Sequence, residues 1–339
     1  MQIKISRLAF AWVVALSISI PNSWSQETIM TIGTVAPADS PWSALLQQFK
    51  EAVEKKTAGK VKVKIMLGGV LGDENEMVTK VSRGQIQAVG ASTGALATKV
   101  PEVNLVELPF IFRNTDEADK IIDKVLTKPY EKFFSDRGLI LGFWSENGYR
   151  MFASRDKAMT KPDDLKGRKM RAQESPVHLA MYKALGASAV PIPTTEVPQA
   201  LATGNVDGFD QALLYMIAAG WQKSVKHVTI SEHIYQPAAI VFNKEWYSKL
   251  PANIQKILID EGRSVQVKGR KAVRAIQPEL LGILEYEKIA VKKLSAAEKA
   301  AFETATKPVY EDFRKTFGKD ASALLDTALA ELKKIRGGK

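Results

Sequence analysis

The chain has 339 residues, 45% hydrophobic and 25% charged, which excludes a disordered or collagen-like protein and is enough for two lobes with separate cores. It contains no cysteine, which excludes a disulfide-rich scaffold and a cysteine-anchored lipoprotein. The net charge is +11, but basic residues are mixed with acidic ones, as in residues 51–60, instead of forming one basic stripe. We therefore interpret the charge as solvated surface and expect no nucleic-acid partner.

The first 25 residues have the pattern of a secretory signal peptide. Lys4 and Arg7 precede an apolar run over residues 8–20, and Ser23 and Ser25 form a small-x-small cleavage site. The apolar run is too short to span a bilayer comfortably. We expect cleavage after Ser25 and export of the remaining chain, and the lack of cysteine favours a bacterial periplasm.

The chain after the signal peptide begins with alternating strand and helix patterns. Strands are predicted at 28–35, 61–67 and 86–91, and helices lie between them. Pro41 is expected at the first position of the first helix, which buries an apolar face that includes Phe49. The order strand, helix, strand, helix, strand predicts a parallel α/β sheet.

A second α/β unit follows this first one. One more strand is predicted at 139–144, before this second unit starts near Tyr149, and separate strands are predicted at 150–154, 169–172, 206–209 and 238–242. The chain from Pro251 onward is predicted to be almost entirely helical, with a capping box that begins at Ser295. We expect a crevice between the two units, because open α/β sheets bind ligands in such crevices.

Arg171 is the last basic residue of the predicted strand 169–172, and it points to the face opposite Met170. A buried guanidinium needs a partner, because it stays protonated and its unpaired burial is costly. That partner is either an internal carboxylate, in a structural salt bridge, or the carboxylate of a ligand held by two parallel hydrogen bonds. The strand alone leaves both alternatives open.

The segment 90–94 matches the pattern G-x-S-x-G after a strand. Ser92 would then be the nucleophile of an exported serine hydrolase, with Asp207 or Asp210 and His227 or His233 completing a catalytic triad. Five-residue patterns of small residues also arise by chance, and Ser92 fits a ligand-facing turn equally well. The hydrolase therefore remains an alternative function.

The chain has three histidines, His178, His227 and His233, and no two of them have metal-ligand spacing on one helix face. With no cysteine available, we interpret them as surface or hydrogen-bonded structural residues. We therefore expect no metal site and no cofactor.

Several short motifs occur in one order along nearly the whole mature chain, and the ordered set is more specific than any one of them. They are Leu71-Gly72-Asp73, Leu108-Pro109-Phe110, Asn147-Gly148-Tyr149-Arg150, the segment 161–171 with its Lys-Met-Arg strand, and Gly204-Asn205-Val206-Asp207-Gly208. In this order they resemble the DctP-type solute-binding proteins of TRAP (tripartite ATP-independent periplasmic) transporters.

The resemblance implies a two-lobed periplasmic binding protein fold of the α/β class, with crossing strands and long C-terminal helices. Lobe I would comprise 26–147 and about 236–275, and lobe II 148–235 and about 276–339. The protein would close around a small organic acid and deliver it to the membrane permease subunits, with no catalysis of its own. Hinges are expected near Asn147 and residues 232–236. Presentation of the ligand to a sensory receptor, and a homodimer in place of a monomer, remain open alternatives.

The resemblance also assigns roles to residues of this chain. Arg171 would bind the substrate carboxylate through two hydrogen bonds, and Arg150 would assist it. Gln211 stands where the family usually has asparagine, and Asp210 would pair with Arg150 or with a substrate hydroxyl or amine. Ser92 would line the opposite lobe, and the aromatic residues would suit a larger acid or serve as core, namely Trp144, Phe209, Tyr215 and Tyr235.

Overall fold

The computed structural model describes residues 27–337. The predicted signal peptide and its cleavage site lie outside this range. No helix within the described range is both long and apolar enough to cross a membrane.

The described chain contains strands and helices throughout. The strands are β1 Thr28–Thr34, β2 Val61–Met66, β3 Ala88–Ser92, β4 Leu139–Ser154, β5 Lys169–Ala172, β6 Ser188–Pro191, β7 Gly208–Ala212, β8 His227–Asn243 and β9 Ala290–Lys293. The α-helices are α1 Pro41–Lys56, α2 Glu74–Ser82, α3 Thr93–Leu96, α4 Thr115–Ile121, α5 Thr127–Asp136, α6 Pro176–Ala184, α7 Val197–Ala202, α8 Leu213–Ala218, α9 Lys244–Lys249, α10 Ala252–Ala275, α11 Gln277–Tyr286, α12 Ala296–Thr306 and α13 Pro308–Ile335. Short 3-10 turns lie at Pro101–Glu107, Pro162–Leu165, Thr194–Glu196 and Trp221–Ser224, and Ile122–Leu126 is a π-helical turn.

The strands form one mixed sheet in the order β2-β1-β3-β8-β4-β7-β5-β6, and β9 pairs with β8 outside this path. Strand β1 pairs in parallel with β2 and β3, and β5 pairs in parallel with β6 and β7. The two predicted α/β units are therefore confirmed, one on each side of the β8–β4 pair, and the parallel pairing predicted for the first unit is present in both. The central pairings of β8 with β3 and β4, and of β4 with β7, are antiparallel.

Strands β4 and β8 run through both halves of the sheet. The prediction of separate strands at 139–144 and 150–154 was wrong, because one strand of 16 residues covers both and the segment between them. The Asn-Gly pair that resembles a turn forms a bulge, with a register shift between Glu146 and Gly148 and a positive φ of 99° at Gly148. The predicted strand 238–242 is likewise only the end of the 17-residue β8.

The first α/β unit follows the sequence signals closely. Ser40 caps α1 in a capping box with Ser43, and Pro41 occupies its first turn. The apolar face of α1 includes Phe49, which packs against Phe143 of β4 with the ring centroids 5.1 Å apart. The predicted capping box at Ser295 is also present, at the start of α12.

The long helices return to the sheet and join its two halves. Helix α10 packs on β4 so closely that a Cβ atom added at Gly262 would lie 2.3 Å from Phe143 Cδ1. Helix α13 packs against α6 of the second half and against α4 of the first. Near its end, Arg336 forms a salt bridge with Glu117 at 2.7 Å.

Candidate functional site

A cavity lies where the carboxyl ends of the parallel strands from both halves meet, the usual ligand position in open α/β sheets. It holds about 590 Å³ of space not filled by protein atoms, part of it open to solvent. Its polar lining residues are Thr34, Glu74, Ser92, Ser145, Asn147, Gln173, Thr194, Gln211, Tyr215 and Gln236. Its apolar lining residues include Trp42, Leu45, Leu46, Ala238 and Ile240.

Arg171 lies on β5 directly behind the lining residue Thr194, and the side chain is buried. Its Nε and Nη2 atoms donate to the carbonyl of Ile192 at 3.0 and 2.8 Å, and Nη2 also donates to Thr194 Oγ1 at 3.3 Å. Its Nη1 atom is buried without a hydrogen-bond partner among the described residues. One end of the guanidinium is therefore held by the protein, and the other has no acceptor within the described residues. Arg171 itself is not among the residues that line the cavity.

The charge of Arg171 has no carboxylate within salt-bridge distance anywhere in residues 27–337. The guanidinium lies over the ring of Trp221, with Cζ 5.4 Å from the ring centroid. Burial, together with the positive charge of Arg150, lowers the pKa of Arg171 to about 10, so the group stays charged at neutral pH. Of the two alternatives for Arg171, the internal salt bridge is absent from the part of the chain described here.

Arg150 of β4 is fully buried and, unlike Arg171, is paired internally. Its Nε donates to Asp210 Oδ2 in a buried salt bridge, as anticipated for Asp210. Its Nη1 donates to the side-chain oxygens of three residues that line the cavity, which are Gln173 at 3.4 Å, Gln211 at 3.2 Å and Gln236 at 2.8 Å. Arg150 does not line the cavity itself. Its hydrogen bonds orient the side-chain amides of Gln173, Gln211 and Gln236, which do line it.

Asp210 is the centre of the buried polar network behind the cavity. It also accepts from Tyr182 at 2.8 Å, and it lies 3.3 Å from His233 Nε2. Burial by itself would raise the pKa of Asp210. The positive charge of Arg150 is the main influence that outweighs burial, and it holds this pKa well below its usual range. Asp210 is therefore an ionised partner of Arg150 and does not line the cavity.

Two of the histidines have the structural role expected from the sequence. His178 Nε2 hydrogen-bonds to Glu107, and His233 Nδ1 lies 2.7 Å from Ser231 Oγ. Neither of them lines the cavity. Across residues 27–337, no group of three or more His, Asp or Glu side chains is arranged to hold a metal ion.

Ser92 lines the cavity at the end of β3, but its hydroxyl is bonded in a way that does not suit a nucleophile. It donates to Glu74 Oε2 at 2.8 Å and accepts from Gln173 Nε2 at 2.7 Å and from the Ala95 amide at 3.3 Å. No histidine is among these partners in the described structure. The serine hydrolase alternative therefore has no support, because the predicted Ser-His-Asp triad is not formed.

Glu74, at the first position of α2, is a lining residue that sequence analysis missed. Its carboxylate accepts from the Ser92 amide at 2.7 Å as well as from the Ser92 hydroxyl. Burial, and then the negative charge of Asp73, raises its pKa to about 7. A buried carboxyl group thus faces the cavity, and it loses its proton only near neutral pH.

The two halves touch each other across the mouth of the cavity. The Thr195 amide donates to Asp73 Oδ1 at 3.2 Å, and Asn75 Nδ2 donates to Glu174 Oε2 at 3.0 Å. Tyr215 contributes a third contact, through its hydroxyl to the carbonyl of Val35 at 3.4 Å. The two halves are therefore in direct contact beside the cavity.

The aromatic residues considered for the cavity divide into two groups. Tyr215 lines it, beside Trp42 with the ring centroids 6.0 Å apart. Phe209 instead packs edge-on against Trp221 in the hydrophobic core, and Trp144 and Tyr235 also lie in the core. Trp42 belongs to the predicted first helix, and its place in the cavity wall was not predicted.

The family model for bacterial extracellular solute-binding proteins, family 7 (DctP), matches residues 32–316. A solute-binding protein of Verminephrobacter eiseniae is 33% identical over 295 residues, which cover 87% of this chain and 88% of the relative. A C4-dicarboxylate-binding periplasmic protein, DctP, of Rhodobacter capsulatus is 28% identical over 334 residues, 96% of this chain and 97% of the relative.

The fold is also shared with solved structures. A TRAP periplasmic solute-binding protein from a Polaromonas species, bound to D-erythronate, superposes with a TM-score of 0.84 at 29% identity. The match covers 88% of this chain and 98% of that protein. The two-lobed α/β class and the long C-terminal helices expected from the sequence are thus confirmed. The chain belongs to the DctP family of bacterial extracellular solute-binding proteins, the type that serves TRAP transporters.

Proposed function

We propose that this protein binds a small organic acid in the central cavity, in the periplasm, and delivers it to the membrane subunits of a TRAP transporter. The observation that carries this proposal is the state of Arg171. A buried cation with a free Nη1 donor and no carboxylate partner in the described chain is an incomplete ion pair. A ligand carboxylate completes it.

The contacts of Arg171 define how the carboxylate is held. Nε and Nη2 are fixed by the carbonyl of Ile192, so the guanidinium plane has one orientation before the ligand arrives. Because Nε and Nη2 are engaged by Ile192, the grip by two parallel hydrogen bonds expected from the resemblance is not available in this arrangement. The ligand carboxylate approaches the Nη1 end instead, where a charge-assisted hydrogen bond forms. Thr194 lines the cavity and accepts a hydrogen bond from Arg171, so it connects the cavity wall to the guanidinium.

The remaining predicted site residues take distinct roles in this proposal. Gln211 contacts the ligand from the second half, and Ser92 lies on the opposite wall. Arg150 and Asp210 act one layer behind, as a neutral pair that positions the lining amides. Phe209 supports the Trp221 ring over which Arg171 lies.

The lobes and the hinge are part of the same proposal. We assign lobe I to 26–147 with about 236–275, and lobe II to 148–235 with about 276–339. The bulge at Glu146–Gly148 supports a hinge there, and the positive φ of 49° at Glu232 supports one at the next irregularity of the β4–β8 pair, between Ile234 and Thr229. Ligand that touches both lobes stabilises the closed form.

Export and transport complete the proposed role. The first 25 residues serve as the signal peptide, and the protein acts as a carrier with no catalysis of its own. The names of its relatives support an acid as cargo, since the Rhodobacter protein is named for C4-dicarboxylates and the Polaromonas protein holds D-erythronate.

A thermal-shift screen of residues 26–339 tests this function. The panel contains hydroxy, keto, sugar and aromatic acids, each beside its neutral amide. A ligand at about 100 times its dissociation constant stabilises the folded state by about 2.7 kcal/mol. Shifts confined to the acids support the proposal. Equal shifts with the amides, or none with any acid after removal of co-purified ligand by unfolding and refolding, contradict it.

A further inference from the structure

Glu74 is the one acidic or basic side chain among the lining residues of the cavity, all of which lie in the described range. Its position is fixed from both halves of the sheet. Ser92 of β3 holds it through two hydrogen bonds, and Gln173, which follows β5, approaches Glu74 Oε2 to 3.5 Å. An ionised carboxylate offers about four acceptor positions, so at least one remains for a ligand.

The other charges near the cavity leave Glu74 without a cation of its own. Arg150 is neutralised by Asp210, and the free end of Arg171 is the proposed site of the ligand carboxylate. The charged groups with the largest influence on the pKa of Glu74 are Asp73 and Glu107, both of them acidic. A second ligand carboxylate in this cavity would therefore meet a like charge without a counterion.

The rest of the lining matches a hydroxylated ligand body. Side-chain amides and hydroxyls are among the lining residues, and such groups can both donate hydrogen bonds to ligand hydroxyls and accept them. Trp42 and Tyr215 lie together on another part of the wall. The indole nitrogen of Trp42 is already bonded to the carbonyl of Glu146 at 2.8 Å, so this residue offers its ring surface.

We infer that Glu74 makes the site selective for polyhydroxylated monocarboxylates, by accepting a hydrogen bond from a ligand hydroxyl and opposing a second carboxylate. This inference rests on the proposed function and makes it more specific. It excludes dicarboxylates as the preferred cargo, although one relative is named for them.

Matched pairs of acids test the inference by isothermal titration calorimetry. D-erythronate is compared with meso-tartrate, and galactonate with galactarate, because each pair shares its hydroxyl configuration and differs only at the terminal CH2OH or carboxylate. At about pH 8 we expect the monocarboxylate of a bound pair to be favoured about 100-fold or more, since buried like charges oppose binding strongly.

Glu74→Gln removes the charge and keeps the shape of the side chain. We expect this variant to lower the ratio of monocarboxylate to dicarboxylate affinity at least about tenfold, because the repulsion is lost. The control is Glu76→Gln on the same helix, whose carboxylate is paired with Lys80 at 2.7 Å, is largely exposed and does not line the cavity. The control should keep the wild-type ratio.

The unmodified protein provides a second readout. Because the pKa of Glu74 lies near 7, we expect dicarboxylate affinity to rise between about pH 8 and pH 6 as Glu74 is protonated, and we expect no such rise in Glu74→Gln.

A wild-type preference for the dicarboxylate, or the same ratio in wild type and Glu74→Gln, overturns this inference and leaves the proposed function in place. Binding of no acid by the wild-type protein overturns the proposed function and this inference together.

Discussion

Arg150 and Arg171 lie on the two strands that flank β7, and both are buried, but only Arg150 is paired with a carboxylate in the described chain. Asp210 of β7 forms a salt bridge with Arg150, whereas Arg171 has no acidic partner within residues 27–337. Arg171 stands beside Phe209 in the β5–β7 register, and Arg150 stands beside Ala212 in the β4–β7 register. A single carboxylate between two arginines thus leaves one cation without a salt-bridge partner in the described chain.

The buried Arg150–Asp210 pair should be important for stability. Asp210→Asn leaves Arg150 as an uncompensated buried charge, and we expect the free energy of unfolding to fall by about 3–5 kcal/mol. Urea unfolding at neutral pH measures the change. Asp136→Asn, which breaks an exposed pair with Lys132, is the control and should leave the midpoint unchanged. A similar small change in both variants would show that the buried pair is not structurally important.

Glu74 should make the ligand-free protein less stable as pH rises. Its pKa is 4.5 in the unfolded chain and about 7 in the folded protein, so only the folded state binds the proton between these values. The free energy of unfolding therefore declines as pH rises through this interval. Above about pH 7, Glu74 adds no further dependence on pH. We expect Glu74→Gln to be more stable than wild type by about 2–3 kcal/mol at about pH 8, with the difference fading toward pH 4.5.

The measurement is urea unfolding of both proteins at several pH values, without ligand. A difference in stability that does not change with pH would contradict the assigned environment of Glu74. The control, Glu76→Gln, should follow the wild-type curve.

Gly262 and Gly282 form a matched pair for the packing of the long helices. A Cβ at Gly262 would meet Phe143 of β4 at 2.3 Å, whereas a Cβ at Gly282 of α11 would meet nothing within 4 Å. We expect Gly262→Ala to destabilise the protein by about 1–3 kcal/mol through overpacking. Gly282→Ala should stabilise it by about 0.5–1 kcal/mol through helix propensity. Thermal unfolding distinguishes these opposite signs, and destabilisation by both substitutions would contradict the packing described.

Closure of the two halves should be visible in solution. The contacts of Thr195 with Asp73 and of Glu174 with Asn75 exist only when the halves meet. We expect the radius of gyration from small-angle X-ray scattering to decrease when a bound acid is added, because ligand shifts the population to the closed form. Arg171→Ala with the same acid should keep the larger radius. An unchanged radius in the wild-type protein would exclude the hinge at Asn147 and Glu232.

The parts of the fold set by local signals were predictable from the sequence. The parallel units follow from alternating strand and helix patterns, and the helix start at Pro41 follows from proline geometry. The continuity of β4 was missed because Asn147-Gly148 is also a common turn pair, and only the long pairing with β8 keeps the strand extended through the bulge.

The site was predictable where one strand determines it. Strand alternation predicts that Arg171 points inward, and the same alternation places Gln173 on that face, a signal that was available but not used. Glu74 and Trp42 reach the cavity only through the packing of α2 and α1 on the sheet. Their roles depend on contacts with residues far away in sequence, which short motifs do not encode.

The central claim is that Arg171 is the carboxylate-binding residue, and calorimetric titration of Arg171→Ala with an acid that binds the wild-type protein tests it most directly. The control is Arg168→Ala, just before β5, because Arg168 already pairs with Asp156, whereas Arg171 has no salt-bridge partner in residues 27–337. We predict that Arg171→Ala remains folded and loses about 2–5 kcal/mol of binding free energy, while Arg168→Ala binds as wild type does. Wild-type affinity in a folded Arg171→Ala protein would contradict the account.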